Sequence, residues 1–398
     1  MKTLLTATAA TALFAGAAFA DAHGGPVKMG IILGFTGPLE TITPHMGDAA
    51  ELAIAEVNEA GGILEGRMVE PVRGDSTCID AGAATAAAER LVTSEGVSAI
   101  MGADCSGVTG AILSNVAVAN GAVMISPSAT SPGLTTADDN GLFFRTAPSD
   151  ARQGTVITNV LMDRGLKEVA LTYTNNDYGK GLADAFQAAF EAAGGTVTIS
   201  TAHEDGKADY SAEVAELDAA GGDVLVVAGY VDQGGLGVIQ SSLDAGSFDQ
   251  FVLPDGMFGQ SLIDNIGSDL DGSFGTVPGT DSEGAATFLE MGNGAGFDAT
   301  SSYTGESYDA AALLMLAMEA SGSTSGADIA GKVMEIANAP GEQIFPGELG
   351  KALEIIRGGG DIDYVGATDV ELIGPGEAAG NFREYDIKGG EVTTAGFR

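Results

Sequence analysis

Apolar and polar positions along the chain follow two alternating periods. Residues 27–33 (VKMGIIL) form a short apolar run of strand length. Residues 45–60 place Ala50, Ile54 and Val57 at the spacing of one helix face and stop at Gly61-Gly62. Residues 68–73 read as strand, 80–94 as an Ala-rich helix with Leu91 and Val92, 97–101 as strand, 108–119 as helix and 122–126 as strand. This rhythm predicts a parallel sheet with helices on both faces. It restarts beyond Arg145: helix at 151–164, strand at 168–173, helix at 181–193, strand at 196–200, helix at 210–220, strand at 223–228, helix at 236–245, strand at 251–253. Two consecutive open α/β units therefore fit, with no obvious sequence repeat between them. The last third is less regular, with helices expected at 307–320 and 327–337 and strands at 362–365 and 370–373. It holds too little for its own core, so it should complete the other two units, the chain crossing between them more than once.

Length and composition narrow this picture. The 398 residues are 45% hydrophobic and 18% charged, a globular composition for which two domains are expected. Asp plus Glu is 55 against 17 Lys plus Arg, a formal charge of -38. A chain this acidic is repelled by phosphate backbones and anionic membrane surfaces, which excludes nucleic acid as a partner class. The 60 glycines show no Gly-X-Y period and read as turn punctuation.

The first twenty residues are set apart. Lys2 is a short basic start, 4–14 is apolar, and Ala18-Phe19-Ala20 fits a small-x-small cleavage site. This is the pattern of a secretory leader cleaved near Ala20. A membrane anchor is the competing reading, but the run is shorter than the ~20 residues that span a bilayer. No Cys follows the site, so no lipid anchor is expected. Export bears on the cysteines, Cys78 and Cys105. An oxidising compartment would join them, closing a loop of about 27 residues worth ~3 kcal/mol. The alternative is a metal or nucleophile site, for which two thiols without a nearby His make a poor zinc set.

Catalytic motifs were sought and not found. There is no Gly-x-Ser-x-Gly elbow, phosphate-binding Gly-Lys loop, Gly-x-Gly-x-x-Gly or His-Glu-x-x-His, and Asp361-Ile362-Asp363 with Gly366 lacks the spacing of a calcium loop. This favours a binding protein over an enzyme; no catalytic residue, metal or cofactor is expected.

Two segments carry positive information. Met101-Gly102-Ala103-Asp104-Cys105-Ser106-Gly107 and Ile125-Ser126-Pro127-Ser128-Ala129-Thr130-Ser131-Pro132 both fall where a strand hands over to a helix, the place where open α/β sheets bind ligands. The first offers backbone N–H groups and the Ser106 hydroxyl to an anion; the second offers hydroxyls and free carbonyls that suit both ends of a zwitterion. Each can also be read as a simple turn with a helix cap.

The segments MISPSATSPGLT, FFRTAPSDARQG, YTNNDYGKGLADAF and DVLVVAGYVDQGG, in this order, together with GPLETITPHMGDAAELAIAEVNEAGG, resemble the branched-chain amino-acid (Leu/Ile/Val-binding) type of periplasmic substrate-binding protein. The resemblance runs from about Val27 to the C-terminus. It implies the type I fold, two doubly wound parallel-sheet α/β lobes joined by three crossing segments, with lobe 1 expected over 27–145 plus 277–355 and lobe 2 over 146–276 plus 356–398. It also implies a periplasmic location, a small-molecule ligand in the cleft, delivery to a transmembrane ABC permease, and a disulfide between Cys78 and Cys105. Carried over by position, the ligand's α-carboxylate falls to Ser106 and Thr130, its ammonium to the Ser128 and Ala129 region and to Asp255, and closure over it to Tyr178 and Tyr230. Asp255 stands where such proteins often carry Glu, so its reach is shorter. The first loop differs too, with Ile42, Thr43 and Pro44 where a small polar or aromatic residue often borders the ligand side chain. A larger aliphatic or an aromatic amino acid, or an amide or urea-like solute, is compatible with that change, and a ligand-sensing role is the alternative use of the same fold.

Overall fold

A computed structural model describes residues 25–398; the leader expected at 1–20 lies outside the described residues. Five strands open the chain: β1 (Val27–Leu33), β2 (Val69–Asp75), β3 (Ala99–Gly102), β4 (Val123–Ser126) and β5 (Phe143–Pro148). They pair in parallel in the order β5-β4-β3-β1-β2. The next five repeat the plan: β6 (Glu168–Thr174), β7 (Thr196–His203), β8 (Val224–Ala228), β9 (Phe251–Leu253) and β10 (Phe274–Pro278), in the order β10-β9-β8-β6-β7. Central strands such as β3, β4 and β8 are buried at every residue, because helices cover both faces of each sheet. Their apolar runs are the reason they could be read directly from sequence.

The two units have the same winding and, as the sequence suggested, each borrows from the last third. After β10 the chain returns to the first lobe with helices Glu283–Ala295, Thr304–Ser321 and Gly326–Ile336. Thr304–Ser321 (TGESYDAAALLMLAMEAS) is apolar on nearly all sides and is buried as such a helix must be, against helix Thr43–Glu59 and strands β3 to β5. The small pair β11 (Glu342–Ile344) and β12 (Ile362–Tyr364) follows, then β13 (Leu372–Ile373) and β14 (Glu377–Ala378), which extend the first sheet beyond β5. Only then do β15 (Phe382–Lys388) and β16 (Glu391–Phe397) add an antiparallel edge to β10 in the second sheet.

The third crossing therefore lies near 379–381, and the boundary expected at 356 is too early. The cause is Asp309 in the buried helix. Its carboxylate accepts from Tyr364 Oη, Ala367 N, and Thr368 N and Oγ1 at 2.6–2.9 Å, holding the segment around 364–368 to the first lobe. The other two crossings run between β5 and helix Asp150–Asp163 and between β10 and Ser282.

Candidate inter-lobe binding site

The carboxyl ends of β3 and β4 turn into the two small-residue segments, and a set of internal hydrogen bonds fixes them. Asp104 is buried and accepts from Gly34 N and from Ser76 Oγ, both at 2.9 Å. The Ser126 hydroxyl donates to Ala103 O at 2.5 Å and accepts from Ala129 N at 2.9 Å. Ser128 Oγ donates to Asp104 O, and Ser106 Oγ accepts from Ser131 N, each at 3.1 Å. Arg145, only 1% exposed, spends its guanidinium on Ala129 O, Ser131 O, Thr135 Oγ1 and the Glu377 carboxylate. Cys78 and Cys105 are joined in a disulfide, with Cα atoms 5.2 Å apart, at the entry to helix Ser106–Ile112. Their sulfurs are thus not thiolates, and the neighbouring Asp104 is already held.

The opposite wall comes from the second lobe and is built from large side chains. Tyr178 opens helix Asp177–Ala192 and Tyr230 follows β8; their rings stack with centroids 5.2 Å apart. Tyr178 Oη donates to Asp255 Oδ1 at 2.9 Å and accepts from Gly256 N at 3.2 Å. Asp255 is 2% exposed, so it is not the surface turn that its Asp-Gly pair would suggest. Its second oxygen accepts from Tyr303 Oη. Tyr303 has a backbone φ of 63°, an unusual region for a non-glycine residue, at the N-cap of the buried Thr304–Ser321 helix.

Two residues of this cluster were not singled out from sequence. One is Tyr303. The other is Asp150, first residue of helix Asp150–Asp163, which follows the crossing out of β5. Its backbone N–H donates to Thr130 O at 2.9 Å, and its side chain is fully buried beside the Thr130 hydroxyl. The Thr130 hydroxyl is buried too, and beyond their approach to each other neither group has a side-chain partner among the described residues. Burial, together with the charge of Asp255, raises the Asp150 carboxyl well above its ordinary range. Burial raises Asp255 as well, opposed by the tyrosine hydroxyls. The same carboxylates and burial push the phenols of Tyr178 and Tyr303 far up, so both stay protonated donors.

The lobes meet around this cluster. Asp232, just after Tyr230, accepts from Thr41 N at 3.0 Å and Thr41 Oγ1 at 2.9 Å across the cleft, and from Ser261 Oγ at 2.6 Å within its own lobe. Asp232 N in turn donates to Pro38 O at 3.2 Å. On the other side, Gly181 packs so closely on Ser131 and Pro132 that an added Cβ would lie 2.9 Å from each. Ser106 follows β3 and Ser128, Ala129 and Thr130 follow β4, while Tyr178, Tyr230 and Asp255 follow β6, β8 and β9, so all seven stand at carboxyl ends of strands in the two sheets.

The profile of the family described as periplasmic binding protein matches residues 26–348. The chain belongs to this family. A Leu/Ile/Val-binding protein homologue from Brucella melitensis is 33% identical over 342 residues, covering 84% of this chain and 88% of the relative. Among solved structures, the branched-chain amino acid transporter substrate-binding protein LivJ from Streptococcus pneumoniae, in complex with isoleucine, superposes with a TM-score of 0.77 at 22% identity, over 94% of this chain and 99% of that one. A solute-binding protein from R. palustris in complex with benzoate reaches 0.73 at 20% identity, over 94% and 96%. These are substrate-binding proteins and not enzymes, and the two-lobed type I fold is theirs.

Proposed function

We propose that this member of the periplasmic binding protein family is exported, captures an aliphatic, branched-chain α-amino acid in the cleft between its lobes, and hands it unchanged to a transmembrane ABC permease. The observation that carries the reading is Asp150: a fully buried carboxyl with no partner but the Thr130 hydroxyl, close to a second acid, Asp255. Unpaired buried polar groups are costly, and an ammonium placed here supplies donors to both acids at once. The nearest cation, Arg145, is already committed to Glu377 and to backbone carbonyls. The Ser106 and Thr130 hydroxyls and the N–H groups of the first-lobe segments suit the ligand's carboxylate. Tyr178 and Tyr230 close over it from the second lobe.

This charge balance also speaks against an aromatic acid lacking an amine. A simple carboxylate such as that bound by the R. palustris protein brings no ammonium to ionise the buried acid pair and gains no charge-assisted contact with it. Contacts from both walls exist together only when the lobes are closed. Ligand binding therefore shifts the population toward closure, and a switch from mostly open to mostly closed needs ~5.5 kcal/mol of differential affinity. A few charge-assisted hydrogen bonds at ~1.5–3 kcal/mol each suffice.

Calorimetry with leucine, with 4-methylpentanoate (no amine) and with 3-methylbutylamine (no carboxylate) tests the reading. Leucine should bind and each fragment should bind at least ~100-fold more weakly, since each loses one charged end. Binding of 4-methylpentanoate or benzoate in preference to leucine would overturn it.

A further inference from the structure

Behind the cleft, at the hinge, lies a second cavity of about 420 Å³ whose walls come from both lobes. Its body is apolar, lined by Phe258, Val277, Phe288 and Phe397. Three charged-type residues line it: Arg383 from β15, Glu306 from helix Thr304–Ser321, and Asp281. Tyr303, whose hydroxyl reaches Asp255, separates this cavity from the cleft.

Arg383 is the informative residue. Carboxylates outnumber cations 55 to 17 in this chain, and Arg73, Arg90, Arg145, Arg164, Arg357 and Arg398 are all paired with acids. The guanidinium of Arg383 has neither an ion pair nor a hydrogen-bond acceptor among the described residues. It lies over the Phe258 ring, 4.7 Å from its centroid, and burial lowers its pKa. A partly desolvated cation without an acceptor, in a protein this acidic, marks a place where an acceptor can come from outside. Glu306 does not fill that role. It is 5% exposed, burial pushes it up to about 8, and it makes no ion pair or hydrogen bond with Arg383. Asp281 at the mouth is exposed to solvent.

We propose that this hinge cavity is a second binding site, for a small organic monocarboxylate with an apolar body. The planar fork of Arg383 takes the carboxylate, Glu306 donates to it, and the phenylalanine walls cover the hydrocarbon. The cleft offers instead the acids Asp150 and Asp255 and an Arg145 already committed to Glu377, so the unpaired guanidinium sets this cavity apart.

The probe is cyclohexanecarboxylate, with cyclohexanecarboxamide as its neutral counterpart, titrated by calorimetry into the exported protein. The acid should bind with one-to-one stoichiometry, and the amide about tenfold or more weakly, because only the acid pairs with Arg383. Arg383→Met should weaken the acid by about tenfold or more. Ala285→Leu, which adds bulk to a residue of the cavity wall without removing a charge, should do the same and guards against misfolding of the first variant. Ser106→Ala, a change on the first-lobe wall of the cleft, should leave acid binding in place. The proposal fails if the acid shows no saturable binding at millimolar concentration, if Ser106→Ala abolishes binding while Arg383→Met keeps it, or if a crystal soaked in the acid places it against Ser106 and Thr130.

Discussion

The two walls of the cleft stand at equivalent places in two sheets of the same winding, yet they are built in opposite ways. The first-lobe wall is made of small residues whose polar groups are held by Asp104, Ser126 and Arg145. It presents backbone and hydroxyls in fixed directions. The second-lobe wall presents Tyr178, Tyr230 and Asp255, large groups that hold one another and reach across. The difference teaches a division of labour: a pre-organised receiving face and a lid that supplies bulk and charge when it arrives.

The comparison breaks most readily at Arg145. This guanidinium is the internal brace of the receiving face, and removing it leaves Glu377 and the Ala129 and Ser131 carbonyls without their partner. Arg145→Met should cost about 3–5 kcal/mol of stability, as loss of one member of a buried ion pair does. A denaturant titration showing a midpoint close to wild type would mean that the face is not held from behind.

On the lid, Asp255→Ala should raise the Kd for leucine about 100-fold, equivalent to ~2.7 kcal/mol, within the range for truncating a buried charge partner. Asp150→Ala should weaken leucine as well, although it stands on the far side of the cluster beside Thr130. If only one substitution matters, the ammonium sits on that acid alone. The pair also predicts a pH dependence. Both carboxyls are raised above the ordinary Asp range, and the ligand's ammonium favours their ionised forms. Affinity should therefore hold at high pH and fall as pH drops through the raised pKa values, by about tenfold per unit where one proton is taken up on ligand release. Affinity that stays flat from neutral pH to pH 4 would remove the acids from the site.

How much of this was legible in the sequence follows from where each residue's partners lie. The central strands were readable because both faces are covered and their runs are purely apolar, as in VLVVA of β8. β5 (FFRTAP) was not, because Arg145 and Thr146 are buried there only by virtue of distant partners, Glu377 and Glu306 O. In the β15–β16 hairpin the buried Phe382, Tyr385 and Ile387 are unevenly spaced among charged residues and edge strand β16 is almost wholly exposed, so the apolar signal is weak. In the site, the segments at strand ends announced themselves by composition. Asp150 did not, because an acid in the first turn of a helix is ordinary chemistry on its own. What makes it unusual is its total burial beside Asp255, which is a tertiary fact. Tyr303 lies in a stretch with no clear periodicity, and only its reach to Asp255 gives it meaning.

The smallest effect is expected where the walls touch without enclosing anything. Asp232 latches the lid to the receiving face through Thr41, and the groups involved are partly or wholly exposed, so water competes for them. Hydrogen bonds of this kind are worth ~0.5–1.5 kcal/mol each. Asp232→Ala removes them from the closed form alone, so the open form gains population and the leucine Kd should rise about threefold to tenfold by that shift. The change should appear mainly as faster dissociation, since the latch forms after the ligand has docked. It should also add to Asp255→Ala in free energy, because the two residues hold different groups. A loss as large as that from Asp255→Ala, or one that fails to add to it, would show that Asp232 acts on the ligand itself, and the boundary drawn between a wall that binds and a rim that merely closes would have to be moved.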